Sequence, residues 1–244
     1  MMIVGLLVIG FVIGVFVISM GGGGAAFYLG VLTAIFGLDP HTAAATSLVT
    51  ALPSLALGAF TYYRQGKVNV KLGNQMLLAA LPAVIVGSLV APYIPQTIYK
   101  WVIGLILAGL GANILFQKNG GAPKQQRRWL ASLFGVLSGL MVGIAGLSGG
   151  GPIIAGLLMM GLDMMDAAAT SSYVLVFMSL VGALLHLTGG AVDWHAGLGL
   201  MIGALGGALV APHLMTHLTS GKFANYLKPF MALLLIGMGI KTII

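Results

Sequence analysis

The chain contains 244 residues, of which 59% are hydrophobic and only 6% are charged. This composition lies far outside that of soluble globular domains and predicts an integral membrane protein. The net charge is +7, but Lys and Arg cluster in a few short loops, where they act as topology signals, so nucleic acid is not an expected partner. The absence of cysteine excludes disulfides and thiolate metal sites.

Ten hydrophobic segments follow one another along the chain, five in each half. The first half has segments at residues 1–20, 25–37, 42–63, 72–94 and 98–116, and the second half at residues 129–147, 152–162, 167–187, 196–218 and 223–244. Several approach or exceed the roughly 20 apolar residues that span a bilayer as a helix. The second segment of each half reaches only about 20 Å at 1.5 Å per residue, which predicts a half-helix or a re-entrant segment.

An element of eleven residues occurs twice along the chain, with eight of its positions identical. The sequence GLDPHTAAATS begins at Gly37, and GLDMMDAAATS begins 124 positions later at Gly161. Each copy follows a glycine run, and the tetrapeptide LVAP also occurs in both halves, at Leu89 and Leu209. These matches indicate an internal duplication. Asp39 and Asp163, which each precede a long apolar segment, are expected to cap the helices that follow.

Loop charge predicts that the two halves have opposite orientations in the membrane. Residues 64–71 carry three basic residues and residues 117–128 carry four, so both are expected on the cytoplasmic side. The counterpart of the first loop, residues 189–195, has no Lys or Arg and is expected outside. We therefore predict an all-α polytopic membrane protein built from two inverted repeats, residues 1–116 and 129–244, which a cytoplasmic linker at residues 117–128 joins.

The glycine runs before the repeated element are the candidate anion site. Each glycine costs a helix about 1 kcal/mol relative to alanine, so four in succession interrupt it. Freed backbone amides at a helix start attract anions, and paired breaks in two halves of a transporter mark its binding site. Spaced glycines such as Gly135, Gly139 and Gly143 are instead expected to serve close helix packing. The candidate substrate-binding residues at the breaks are Gly21, Gly22, Gly23, Gly24, Ser148, Gly149, Gly150 and Gly151.

Five hydroxyl residues of the repeated element are further candidates for substrate binding. Hydroxyls inside a membrane helix either donate to a substrate in a cavity or bond to the preceding helical turn, and the sequence leaves both roles open. These residues are Thr46, Ser47, Thr170, Ser171 and Ser172.

All four acidic residues lie at segment ends or in loops, and there is no Glu. A proton relay normally has an ionisable group in mid-membrane, so its absence favours anion transport driven by the membrane potential, which supplies about 2.3 kcal/mol per charge per 100 mV. Coupling through histidine stays open. His213 and His217 are four residues apart but lack a third ligand, so neither a metal nor another cofactor is expected.

Two other functions compete with a transporter. A channel-like anion conductor would need the same apolar helices and the same glycine breaks. Residues 146–149, Gly-Leu-Ser-Gly, resemble the motif of rhomboid intramembrane serine proteases, with Ser148 as nucleophile and His186 or His213 as base. The first half offers no hydroxyl within the matching run, which makes the protease the weakest alternative.

The duplicated glycine break, the Gly-Leu-Asp and Ala-Ala-Thr-Ser element and the repeated Ala-Pro together resemble the sulfite exporter TauE/SafE family, over nearly the full chain. The resemblance implies a multi-pass permease of the prokaryotic inner membrane for sulfite, organosulfonates or related sulfur-containing anions. The expected partners are this anion and the lipid bilayer, and a homodimer stays open. The first glycine run lacks a following proline at Ala25 whereas the second has Pro152, so the two halves need not contribute equally.

Overall fold

The architecture is described from a computed structural model of the chain. The structure describes residues 2–19, 24–116, 128–147, 149–187 and 192–218, and near the C-terminus residues 229, 233, 236, 237 and 239–244. The linker prediction for residues 117–127, most of the tenth segment, and the candidates Gly21, Gly22, Gly23 and Ser148 lie outside the described residues.

Within these ranges the chain forms nine α-helices with defined bounds and one short 3-10 helix, and residues 239–243 are also helical. The first five α-helices are α1 (Met2–Ser19), α2 (Ala25–Ala34), α3 (Pro40–Arg64), α4 (Val70–Val90) and α5 (Gln96–Phe116), and the 3-10 helix (Ala91–Tyr93) follows α4. The other four are α6 (Arg128–Ala145), α7 (Gly150–Met159), α8 (Met164–Leu187) and α9 (Trp194–Leu218). The predicted all-helical class is confirmed, and α2 and α7 are the short second helices of their halves.

The second predicted segment of the second half begins at Pro152, and this boundary is two residues too late. Gly149 has φ +60° and ends the interruption, and α7 begins at Gly150. Gly150 and Gly151 are therefore helical, and Pro152 sits inside the first turn, where its missing N–H costs no intrahelical hydrogen bond. Glycine lowers helix stability without forbidding a helix, so the second break lies before the glycine pair.

Three described helices are long and apolar enough to cross a bilayer, namely residues 40–64, 70–93 and 165–187. Shorter apolar helices accompany them, including α2 and α7 at ten residues each. Large apolar side chains also cover much of the outer surface, for example Leu78, which is 77% exposed. Such an exposed apolar surface suits contact with lipid.

The core is built by contacts between the two halves of the chain. Helix α1 packs along α9, α4 packs along α6, and α3 packs against α8. Each of these pairs joins one helix of the first half to one of the second. Helices α2 and α7 pack against α3 and α8 respectively, which puts the two short helices beside the central pair.

Spaced glycines allow the outer helix pairs to approach closely, as predicted. A Cβ atom at Gly139 or Gly143 of α6 would meet the backbone carbonyls of Ala80 or Val84 in α4. A Cβ atom at Gly203 or Gly207 of α9 would meet the carbonyl oxygen of Leu7 or Phe11 in α1. Without a hydrophobic force between helices in lipid, such close backbone packing contributes much of their association.

The predicted helix caps are confirmed. The carboxylate of Asp39 accepts from the N–H groups of His41 and Thr42, both at 3.1 Å, at the start of α3. Asp163 accepts from the N–H of Asp166 at 2.8 Å at the start of α8. Asn69 and Asp193, which are 124 positions apart, cap α4 and α9 in the same way.

Candidate functional site

The interruption between α6 and α7 is the described glycine break. Helix α6 ends at Ala145, Gly146 follows with φ +64°, and Gly149 has φ +60°. Positive φ values in this range favour glycine because a Cβ atom would clash with the following carbonyl. Gly146, Gly149 and Gly150 are all buried, so this non-helical backbone is enclosed by protein rather than exposed to lipid.

The start of α7 presents backbone amides to the break. The first amide with a described helical partner is that of Ile153, whose N–H donates to Gly149 O at 3.5 Å. The N–H groups of Gly150 and Gly151 precede it and have no intrahelical acceptor, and Pro152 has no N–H. Among the described residues, no side chain caps this helix. The helix dipole adds about half a positive charge here, so the start of α7 favours an anion.

Ser138 fixes the geometry of the break from α6. Its hydroxyl donates to Gly149 O at 2.6 Å, and a Cβ atom on Gly149 would overlap the serine side chain. Sequence analysis missed this residue, because its counterpart 124 positions earlier is Gly14 and the duplication gives no signal for it. Ser138 holds the carbonyl that ends the interruption and so sets the direction of the first turn of α7.

The Ser47 hydroxyl connects α3 to the same break. It donates to Gly146 O at 2.9 Å and to Ala44 O of its own helix at 2.8 Å. A Cβ atom on Gly146 would lie 2.5–2.6 Å from atoms of Ala44, so α3 passes directly against the backbone of the break. The structure thus brings one predicted hydroxyl and one glycine break together, with the hydroxyl bonded to backbone.

Thr46 and Thr170 bond to the loops that precede α9 and α4. The Thr46 hydroxyl accepts from the N–H of Asp193 at 3.0 Å, and the Thr170 hydroxyl accepts from the N–H of Asn69 at 2.9 Å. Both threonines are fully buried. Their described bonds connect helices of opposite halves, which is a packing role.

Ser171 and Ser172 differ in their surroundings. The Ser172 hydroxyl donates to Ala168 O of its own helix at 3.0 Å. Ser171 is fully buried, and among the described residues no group bonds to its hydroxyl. Its counterpart Ser47 bonds to Gly146, and the position equivalent to Gly146 is Gly22, which lies outside the described residues. Gly24, the described member of the first run, is buried and precedes α2.

His186 lies near the same break from the side of α8. The residue is 8% exposed, and its Nε2 atom is 3.1 Å from Gly143 O in the last turn of α6. In the protease alternative, this histidine would act as the base for Ser148. One of its imidazole nitrogens is already bonded to a backbone carbonyl. In the part of the chain that the structure describes, no group of three or more His, Asp and Glu residues could hold a metal ion.

Charged side chains lie at the ends of the helices. Arg64, Lys67, Lys71, Lys100 and Lys241 are exposed, and Lys67 Nζ is 3.7 Å from Asp166 Oδ1. This ion pair joins the α3–α4 loop to the start of α8. The described part of the break therefore depends on backbone amides and hydroxyls for its polarity.

Partial burial raises the pKa of the Asp39 carboxyl, but hydrogen bonds oppose it. The Thr42 hydroxyl and N–H, the His41 N–H and the charge of His41 favour the carboxylate, and the net pKa lies below its usual value. Hydrogen bonds to a charged form lower a carboxyl pKa in this way. The α3 cap thus stays ionised at neutral pH.

An apolar recess of about 310 Å³ adjoins the start of α7 between α5 and α6. Gly151 and Pro152 form part of its wall, together with Ile106, Phe134 and Met141. Its lining offers few polar groups, so this recess suits hydrocarbon better than a small anion.

Comparison with known proteins decides the family. The family model for the sulfite exporter TauE/SafE matches residues 6–242. The chain belongs to the TauE/SafE family. The probable membrane transporter YdhB of Bacillus subtilis is 27% identical over 241 residues, which cover 93% of this chain and 96% of that protein. The probable membrane transporter ORF9 of Sinorhizobium is 26% identical over 234 residues, 93% of this chain and 87% of its own length.

Membership in TauE/SafE confirms the predicted family and makes the protein a multi-pass membrane transporter rather than an enzyme. A third relative, the probable membrane transporter of Haemophilus influenzae, is 24% identical over 233 residues. The intramembrane protease alternative is thereby removed. The glycine break and its hydroxyls are features of a transport protein.

Proposed function

We propose that this TauE/SafE protein is a secondary transporter that exports small sulfur-containing anions, such as sulfite or organosulfonates, across the bacterial plasma membrane. The observation that carries the proposal is the buried start of α7, where the amides of Gly150 and Gly151 lack intrahelical acceptors. Sulfite and sulfonate groups present three oxygen acceptors that match such amides. The family name and the bacterial relatives support this substrate class and this membrane.

The chemistry of the break suits binding followed by release. Amides and a helix dipole attract an anion, whereas a buried Lys or Arg would hold it in a charge-assisted pair about twice as strong as a neutral hydrogen bond. The Lys and Arg side chains whose burial the structure describes are exposed. A transporter needs an affinity low enough for release on the far side, and backbone amides provide it.

The two halves form inverted repeats in this proposal. Equivalent bonds recur at an offset of 124 positions, as in Thr46 with Asp193 and Thr170 with Asn69. The packing of α1 on α9 corresponds to that of α6 on α4 when the halves are exchanged. An odd number of crossings in each half would then place the basic α3–α4 loop inside and its counterpart outside. The break before α2 would face the break before α7 from the other side.

The membrane potential drives export in this proposal. A cell that is negative inside pushes an anion outward with about 2.3 kcal/mol per charge per 100 mV. The exposed basic residues Arg64, Lys67 and Lys71 would raise the anion concentration at the inner mouth. An imposed inside-negative potential is therefore expected to accelerate the efflux of a sulfur anion from proteoliposomes.

Counterflow in proteoliposomes tests this proposal. If the protein is a carrier, proteoliposomes loaded with unlabelled sulfite take up labelled sulfite faster than empty proteoliposomes. A channel-like conductor shows no such stimulation from the opposite side. Gly150→Leu should weaken binding because its side chain fills the start of α7. Gly5→Leu is the matched control, since a Cβ atom at Gly5 has no neighbour within 4 Å.

Several outcomes would overturn the proposal. Absence of sulfite and sulfonate counterflow in the wild-type protein would remove the substrate class. Equal affinity in wild type and a folded Gly150→Leu would remove the start of α7 from the site. If Gly150→Leu does not fold, Gly151→Leu replaces it, because Gly151 is only half-buried and borders the apolar recess.

A further inference from the structure

His186 is a buried ionisable side chain that the proposed anion site does not use. It occupies the last turn of α8 and is 8% exposed. Inside a membrane protein, an ionisable residue that is buried and paired with a backbone carbonyl commonly belongs to an ion or proton pathway. The acidic residues offer no such group, because all four lie at helix ends or in loops.

The bond between His186 and Gly143 determines which ring nitrogen can take up a proton. Nε2 lies 3.1 Å from Gly143 O, and a carbonyl oxygen can only accept, so Nε2 carries the hydrogen. In the neutral ring Nδ1 is then the atom with the free electron pair. A proton taken from water would bind to Nδ1 and leave the Gly143 bond in place.

The carbonyl that His186 contacts is free because α6 ends nearby. In a continuing helix the Leu147 N–H would donate to Gly143 O, but here it donates to Met141 O at 3.4 Å. The last carbonyls of a helix lack intrahelical donors and carry its partial negative charge. His186 therefore sits at the C-terminal end of α6 and of its own helix, where the helix dipoles favour the protonated ring and burial disfavours it.

The charged groups around His186 are few. Helix α8 packs against α3, α4, α6 and α7. His41 at the start of α3 opposes the protonation of His186 electrostatically. Lys71 lies at the start of α4 and Arg128 at the start of α6, whereas His186 contacts the last turn of α6. Helix α7 has no titratable residue. At the same end of the protein, α9 adds Asp193 and His195, of which His195 is exposed.

We propose that His186 is a proton-binding site coupled to the anion site at the start of α7. Its partner Gly143 lies three residues before the left-handed Gly146, and the amides of Gly150 follow in the same segment. An imidazolium here would attract an anion at those amides, and the bound anion would favour the proton by the same factor. This inference rests on the proposed function, and it makes the anion affinity depend on pH.

The coupling has a direction that can be measured. Affinity for an anion of constant charge rises as the pH falls through the range in which His186 takes up its proton. A coupling of about tenfold lies within the range of linked sites. Under the proposed topology His186 lies toward the outside, so external acid would retain the anion there and slow its net efflux.

Histidine NMR and a pH series of binding measurements test the proposal. The full-length protein, labelled with ¹⁵N-histidine, is titrated in detergent micelles, and the signals of His186 are assigned by their loss in His186→Gln. In a titration from pH 8 to pH 4, we expect the pH at which Nδ1 of His186 takes up its proton to be about one unit higher when methanesulfonate saturates the site. Methanesulfonate is the probe because its charge is constant in this range.

The variant His186→Gln keeps an amide donor for Gly143 O but cannot titrate. Its methanesulfonate affinity should be independent of pH, whereas His195→Gln, at an exposed position, should keep the wild-type pH dependence. A His186 ring that stays neutral down to pH 4, or wild-type pH dependence in His186→Gln, would overturn the proposal. Counterflow that persists with pH-independent affinity would refute this coupling alone and leave the transporter intact. Absence of any methanesulfonate binding or sulfite counterflow would overturn both.

If His186→Gln does not fold, the signals of the other four histidines are assigned by their loss in single His→Gln variants, and the remaining signals belong to His186. The wild-type NMR titration with and without methanesulfonate then decides. An unchanged protonation pH in the two samples refutes the coupling, and a shift toward higher pH supports it.

Discussion

The backbone N–H of Asn69 donates to the hydroxyl of Thr170 at 2.9 Å, which joins the α3–α4 loop to α8. The equivalent bond, from the Asp193 N–H to the Thr46 hydroxyl at 3.0 Å, joins the loop before α9 to α3. Both donors belong to residues that also cap the next helix. Each threonine therefore fixes the start of a helix from the opposite half of the chain.

Replacing Thr46 or Thr170 by valine should lower stability by similar amounts. Each change leaves a partly buried backbone N–H without its acceptor, at a cost of about 1–3 kcal/mol. The measurement is thermal unfolding of the purified protein in detergent. Thr61→Val is the control, because the described bond of the Thr61 hydroxyl is to Leu57 O of its own helix at 2.9 Å. Losses no larger than that of the control would contradict the proposed role.

Gly146→Ala should be much more damaging than Gly37→Ala. Both glycines have φ +64°, so both substitutions incur the left-handed backbone cost of about 1–2 kcal/mol. At Gly146 the new Cβ atom would also lie 2.5–2.6 Å from atoms of Ala44, whereas at Gly37 no atom lies within 4 Å. The yield of folded protein and its unfolding temperature measure the difference. Equal losses of stability in the two variants would show that α3 does not pack closely against the break.

The Asp39 cap should stabilise α3 in a pH-dependent way. Asp39→Ala removes the acceptor for two N–H groups and should cost about 1 kcal/mol at pH 7. Because the folded pKa lies below the usual carboxyl value, the charge-dependent part of this stability is complete above about pH 4 and is lost as the pH falls through the folded pKa. Unfolding of wild type and variant at several pH values tests this. Asp39→Asn keeps a capping oxygen, so its deficit should be small at neutral pH.

The inverted topology predicts opposite locations for two equivalent loops. Reporter fusions or accessible single cysteines placed in residues 64–69 should read as cytoplasmic, and those in residues 189–193 as external. The chain has no cysteine of its own, so labelling at an introduced one is unambiguous. Labelling of both loops from the same side would refute inverted repeats. It would also contradict the proposal that the starts of α2 and α7 face each other from opposite sides of the membrane.

Much of the helical fold could be predicted from the sequence because lipid constrains it so strongly. Bilayer thickness requires long apolar helices, and the predicted segment at residues 42–63 corresponds to α3 (Pro40–Arg64). The caps at Asp39 and Asp163 depend on bonds to residues two or three positions away, and local bonds of this kind can be read from sequence. The start of α7 could not be placed correctly, because Gly149 and Gly150 have the same intrinsic preferences.

The sequence by itself determined the membrane class, the order of the helices, their caps and the family, since each rests on local apolar length, local hydrogen bonds or residue identity. Only the tertiary structure decided what the hydroxyls bind. Ser47 bonds to Gly146 across 99 positions, Ser138 sets Gly149, and His186 meets Gly143 across 43 positions. Which residues bond across so many positions of the chain depends on which helices pack together. That packing depends on small residues whose contacts no local pattern specifies.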